Sequence, residues 1–148
     1  MKVYLKRIQG ISMAAKASSN HWVVMDGSRE FGGSEAGSAP MEMILMGLAG
    51  CTGMDVISIL EKMRVKLDHF VITVDAERAD EHPKVFTKIR LKYYFWGADV
   101  PVEKVERAIE LSQTRYCSAS VMLKKTAELT YSYHINEEVP EEEIAGKK

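Results

Sequence analysis

The chain has 148 residues, 46% of them hydrophobic and 28% charged, with a formal net charge of −1 at pH 7. That balance describes a globular domain with enough chain to bury a core. It excludes a partner class that needs a concentrated positive field, nucleic acid or an anionic membrane surface, and two cysteines are too few for a disulfide scaffold or a metal centre of thiolates alone.

Residues 2–8 and 11–16 alternate as two strands separated by Gln9-Gly10, a break that predicts a β-hairpin. The alternating N-terminus lacks the apolar run of a secretory signal, and no unbroken apolar stretch of roughly 18 residues or more occurs, so neither export nor a membrane span is expected. A cytoplasmic protein with reduced thiols is the expectation. Residues 21–25 read as a third strand. From Gly27 to Ala39 the chain turns to Gly, Ser and Ala with a few charges, a long loop of the kind that is usually functional or mobile.

Pro40 suits the first turn of a helix, with Glu42 near its positive end. Over residues 41–63 the apolar side chains cover most of the helical circumference, which predicts a central helix buried on most sides. In so short a chain that requires a sheet wrapped around the helix, or a second copy of the protein. Gly47, Gly50 and Gly53 recur along it at three-residue spacing and point to a close neighbour. Residues 70–78 form a strand. In 85–96, Ile89, Leu91, Tyr93 and Phe95 alternate with Lys88, Arg90 and Lys92, the period of a half-solvated antiparallel strand. Residues 101–114 form an amphipathic helix, 115–125 a second helical piece and 129–135 the last strand. Strands segregated from helices define an α+β fold with a mainly antiparallel sheet, over one domain, 1–136. Residues 137–148 are charged and read as a mobile tail.

Chemistry concentrates on the only two thiols, Cys51 and Cys117. Free cysteines often merely fill space in a core. A reactive one must become a thiolate, which takes a cation, hydrogen bonds or a helix N-terminus. Cys117 follows Arg115 and lies near a helix start. Cys51 has Gly50 and Gly53 beside it, and Asp55, one turn on, opposes its ionisation unless a hydrogen bond occupies that carboxylate. His21, His69, His82 and His134 lack metal-ligand spacing, so no metal is expected. No phosphate-binding glycine loop or nucleophile elbow occurs, and no cofactor is expected. The methionines suit core filling or an apolar pocket.

Gly37-Ser38-Ala39-Pro40-Met41-Glu42, Leu48-Ala49-Gly50-Cys51-Thr52-Gly53-Met54-Asp55-Val56 and Arg115-Tyr116-Cys117-Ser118 resemble the OsmC/Ohr family, nearest its YhfA-like branch. The resemblance runs from the first strand to about Ile135. It implies an OsmC-like fold assembled as an intertwined homodimer around the cysteine-bearing helices. It also implies thiol-dependent reduction of small hydrophobic hydroperoxides, with Cys51 peroxidatic, Cys117 resolving, and an external dithiol as reductant. Peroxidases of the family set a Glu and an Arg beside the reactive thiol. Their Glu directly follows the Pro, where this chain has Met41. Glu42 follows, nine residues and roughly half a helical circumference from Cys51, and Glu35 is a further candidate. Arg29 is the arginine of the preceding loop. The resemblance thus implies Cys51, Cys117, Arg29 and Glu42 as the site. A dimer of the same fold with inert thiols, binding or sensing a small apolar ligand, is the alternative.

Overall fold

Three short strands open the chain because alternating side chains and a glycine turn favour a local meander. In the computed structural model, which describes residues 1–144, these are β1 (Tyr4–Gln9), β2 (Ser12–Lys16) and β3 (Trp22–Met25), paired antiparallel in that order. Gln9 pairs with Ser12, so the hairpin turn is Gly10-Ile11, and Gly10 takes the positive φ of +55° that such a turn requires. The Trp22 ring meets Tyr4 edge-on at 6.0 Å and carries the Lys6 and Lys16 ammonium groups 5.0 and 5.2 Å from its centroid.

The chain gathers into two compact units, Met1–Met46 and the residues from Gly47 onward. In the first, the glycine-serine loop is organised around Asp26, only 3% exposed. Its carboxylate accepts from the backbone N–H groups of Ala36 and Gly27 at 3.1 and 2.8 Å, from Ser34 N–H and Oγ at 3.1 and 2.9 Å, and from Ser12 Oγ at 2.9 Å. Those donors, Ala36 and Gly27 foremost, hold it well below the usual carboxylate range. A Cβ on Gly33 would stand 2.0 Å from the Gly27 carbonyl oxygen, so this close chain approach requires glycine.

Helix α1 runs Pro40–Lys62. Glu42 Oε2 accepts from the Ala39 N–H at 2.8 Å, the third-residue half of a capping box. By length and composition α1 would suffice to cross a bilayer, yet Leu48, Thr52, Gly53, Val56 and Leu60 form a buried stripe along it. A Cβ on Gly53 would lie 3.1 Å from Ile72 Cδ1 and 3.5 Å from Phe70 Cε1. That is the close neighbour the glycine spacing implied. At Gly47 and Gly50 an added Cβ meets nothing among the described residues. In the single chain part of the helix stays uncovered among the described residues, with Met54 74% and Ile57 37% exposed.

The second unit contains β4 (His69–Arg78), β5 (Phe86–Trp96) and β6 (Glu128–Ile135), in sheet order β4-β5-β6. β4 and β5 pair antiparallel, with Thr73 opposite Lys92, whereas β5 and β6 run parallel from Lys88 beside Glu128 to Phe95 beside Ile135. A parallel pair needs a crossover, and it is formed by α2 (Val102–Leu111), a wide π turn (Ser112–Tyr116) and α3 (Ser118–Leu123). The period of two holds on β5. Ile89, Leu91, Tyr93 and Phe95 are buried, each such side chain contributing roughly 1.5–3 kcal/mol. On the other face Arg90 pairs with Asp75 at 2.6 Å and with Glu77, and Lys88 with Glu77 at 3.5 Å.

Beyond residue 136, where the sequence suggested a charged tail, a short helix α4 (Glu141–Ile144) returns to this sheet. Glu143 accepts from Thr73 Oγ1 at 2.7 Å and Tyr94 OH at 2.9 Å and pairs with Lys92. Burial, then the Glu143 carboxylate, push the Tyr94 hydroxyl up to about 12. Residues 145–148 of the expected tail lie outside the described residues.

Candidate active site

Cys51 sits on α1 and Asp55 one turn further on, so a regular helix puts both on one face. The crossover supplies Cys117. The π turn is closed by the Cys117 N–H donating to the Ser112 carbonyl at 2.9 Å, and Lys124 Nζ donates to the Gln113 carbonyl at 3.0 Å. That wide turn makes Cys117 the N-cap of α3, its sulfur accepting from the Ser120 N–H at 3.4 Å. Such turns within a helix recur at functional sites. The result is that Cys51 Sγ, an Asp55 carboxylate oxygen and Cys117 Sγ lie within 4.8 Å of one another. Cys51 is half-buried and Cys117 fully buried.

A buried polar network stands behind the thiols. Thr52 Oγ1 is 2.7 Å from Tyr93 OH and 2.9 Å from Ser112 Oγ. Gln113 Nε2 donates to Tyr93 OH at 2.8 Å and to Thr52 Oγ1 at 3.2 Å, and Ser112 Oγ donates to Asp55 Oδ2 at 3.3 Å. All the hydroxyl protons can therefore run one way, from Gln113 through Tyr93, Thr52 and Ser112 to the Asp55 carboxylate. Burial pushes the Tyr93 hydroxyl up to about 12, so it remains a neutral donor. Two buried polar atoms beside this network, Gln113 Oε1 and Ser120 Oγ, have no hydrogen-bond partner.

The helix start near Cys117 suggested an easily formed thiolate. Burial outweighs it and pushes the Cys117 thiol up, against the opposing hydrogen bond from the Ser120 N–H. The hydrogen bond needed to occupy Asp55 is present, from Ser112. Arg29 and Glu42 belong to the first unit. Arg29 Nε pairs with Glu35 Oε2 at 3.3 Å, both exposed, and Glu42 caps the start of α1. Thr52, Tyr93, Ser112 and Gln113 were not singled out from the sequence. Their available signal was polarity at positions whose neighbours at helical or strand spacing are core residues.

A cleft of about 360 Å³, lined by Asp55, Ser58, Ile59, Lys62, Leu111 and Tyr116 among others, reaches the carboxylate. A larger cleft, of about 600 Å³ between the end of α1 and the start of β4, contains neither thiol.

Paired thiols, one on a long apolar helix and one in the crossover to a parallel edge strand, define an α+β protein of the OsmC-like fold. The chain belongs to the OsmC-like protein family, whose profile matches residues 32–132. It is 37% identical over 135 residues to protein YhfA of Escherichia coli strain K12, an alignment covering 91% of this chain and 98% of YhfA. A hypothetical protein from Aquifex aeolicus VF5 superposes with a TM-score of 0.77 at 28% identity, covering 92% of this chain and 97% of that one. An organic hydroperoxide resistance protein from Elizabethkingia anophelis, with thiocyanate bound, shares the fold at a TM-score of 0.64 and 17% identity over 90% of this chain and 97% of that one.

Proposed function

We propose that this protein is a thiol-dependent reductase of organic hydroperoxides that works as a homodimer. The observation that carries the reading is the approach of the two sulfurs to within 4.8 Å, from elements far apart in sequence. Cys51, the more accessible thiol, is the attacking group. Asp55 takes its proton, and the thiolate attacks the outer peroxide oxygen. The O–O bond breaks, Cys51 becomes a sulfenic acid, and the leaving alkoxide takes the proton from Asp55 and departs as the alcohol. The Cys117 thiol then attacks the sulfenic sulfur, releasing water and forming a disulfide, and an external dithiol returns both sulfurs to thiols as it becomes a disulfide itself. Such a cycle suits the reducing cytoplasm.

The cleft at Asp55 gives an alkyl hydroperoxide an apolar wall (Ile59, Met63, Leu111) beside that carboxylate. Titrating reduced protein with cumene hydroperoxide should consume about one equivalent per chain and leave a Cys51–Cys117 disulfide in peptide mass spectra. Oxidised protein lacking that disulfide would sink the reading. The same apolar wall and the raised Cys117 thiol favour a second one, a dimer that binds a small apolar ligand without redox chemistry, which predicts unreacted thiols in that titration.

The dimer follows from the uncovered face of α1. Gly47, Gly50, Met54 and Ile57 recur at spacings of three and four, small residues beside exposed apolar ones, which suits helix packing against a second copy. Light scattering on the eluted protein should give twice the chain mass, and Met54→Glu should shift it toward the monomer. A monomeric wild type would refute the assembly.

A further inference from the structure

We propose that the reduced site is also a binding site for one thiophilic divalent cation, of the zinc or cadmium class, held by Cys51 Sγ, Cys117 Sγ and an Asp55 carboxylate oxygen. The sequence excludes a centre of thiolates alone, but the fold adds a carboxylate to the two sulfurs. Two thiolates, one carboxylate oxygen and an open fourth position form a ligand set suited to zinc. The present spacing, within 4.8 Å, needs to contract by at most about an ångström to the ~3.8 Å between sulfurs of a tetrahedral zinc site. The half-buried Cys51 side chain supplies that movement by rotation.

Three further observations point the same way. Asp55 engages in no ion pair among the described residues, so its charge is uncompensated where two more anions would form. Its Oδ2 is oriented by Ser112 Oγ at the end of the chain of hydroxyls from Gln113, the kind of outer hydrogen bond that fixes a metal-bound carboxylate. The buried Ser120 hydroxyl next to Cys117 has no partner, and a metal-bound thiolate there is a stronger acceptor than a neutral thiol. The cleft lined by Asp55 and Ser58 leaves the fourth position open to water or a small ligand.

Binding replaces two thiol protons by one cation. Disulfide formation consumes the same two sulfurs, so oxidation and metal occupancy exclude each other. The proposal stands whether or not the thiols reduce peroxides, because its test uses no peroxide.

Chelator-treated, fully reduced full-length protein is titrated with Cd²⁺. A sulfur-to-cadmium charge-transfer absorption should rise and saturate at one ion per chain. Calorimetry with Zn²⁺ in two buffers of different ionisation enthalpy should show close to two protons released per ion at neutral pH. Bound Zn²⁺ should slow alkylation of both cysteines tenfold or more, Mg²⁺ should not, and Asp55→Asn should weaken Zn²⁺ affinity at least tenfold. Absence of the charge-transfer band, protection of only one cysteine, or unchanged affinity in Asp55→Asn overturns the proposal. The absorption and protection measurements on wild-type protein decide the matter even if the variant is poorly folded.

Discussion

Replacing Cys51 by Ser is expected to lower hydroperoxide turnover by on the order of a thousandfold or more, because the serine hydroxyl is no nucleophile at neutral pH and the other thiol, Cys117, is fully buried. Cys117→Ser should behave differently. Without its resolving partner the protein consumes about one equivalent of peroxide and stops at the Cys51 sulfenic acid, which dimedone traps and mass spectrometry locates. With an external dithiol present, slow turnover remains through direct attack on that sulfenic acid. Wild-type rates in Cys51→Ser would remove the proposed chemistry altogether. A dimedone adduct on Cys117 rather than Cys51 would reverse the two roles. The burial pattern argues for the stated order, since Cys117 is wholly enclosed and its thiol is pushed up.

The second large effect falls on the network behind the thiols. Thr52 is fully buried and joins Tyr93, Ser112 and Gln113. Thr52→Val keeps the shape and deletes the hydroxyl, leaving Tyr93 without its acceptor and Ser112 without its donor. Each orphaned buried group costs about 1–3 kcal/mol, so a loss of roughly 2–4 kcal/mol is expected in urea unfolding, seen as a lower midpoint at unchanged slope. Tyr93→Phe should cost less, and the double variant less than the sum, with a coupling above about 0.5 kcal/mol. Strictly additive effects would mean that the hydroxyls act independently and that the one-way chain to Asp55 is not a unit.

How much of this was legible in the sequence depends on the range of the interactions involved. The β5 alternation of Ile89, Leu91, Tyr93 and Phe95 with Lys88, Arg90 and Lys92 reads directly as a buried and a charged face, because strand geometry alone enforces it. Pro40 and the apolar run after it marked α1 within a residue at each end, for equally local reasons. The hairpin turn moved one residue because Gly10 is used for its positive φ inside the turn rather than before it. What remained hidden was non-local. Nothing in residues 129–135 signals a parallel partner rather than an antiparallel one, since that choice is made by the crossover. The π turn at Ser112–Tyr116 likewise leaves no period to detect, so Cys117 read as part of a helical piece rather than as a cap. The motifs bring Cys51 and Cys117 forward together, but the hydrogen bond that Asp55 requires comes from Ser112, 57 positions away, and only the fold supplies it.

The parallel pairing of β6 with β5 also governs when the pair of thiols exists. β4 and β5 can zip from one local hairpin, but β6 reaches its place only after residues 97–127 have closed a long loop, at the entropic cost such closures carry. Cys117 travels on that loop. During synthesis Cys51 is therefore made, and its helix begun, long before its partner thiol emerges. In the mature protein any local opening that frees the last strand loosens the crossover as well and separates the sulfurs. The lifetime of the pair is set at the sheet's edge, by how firmly Glu128–Ile135 stays docked.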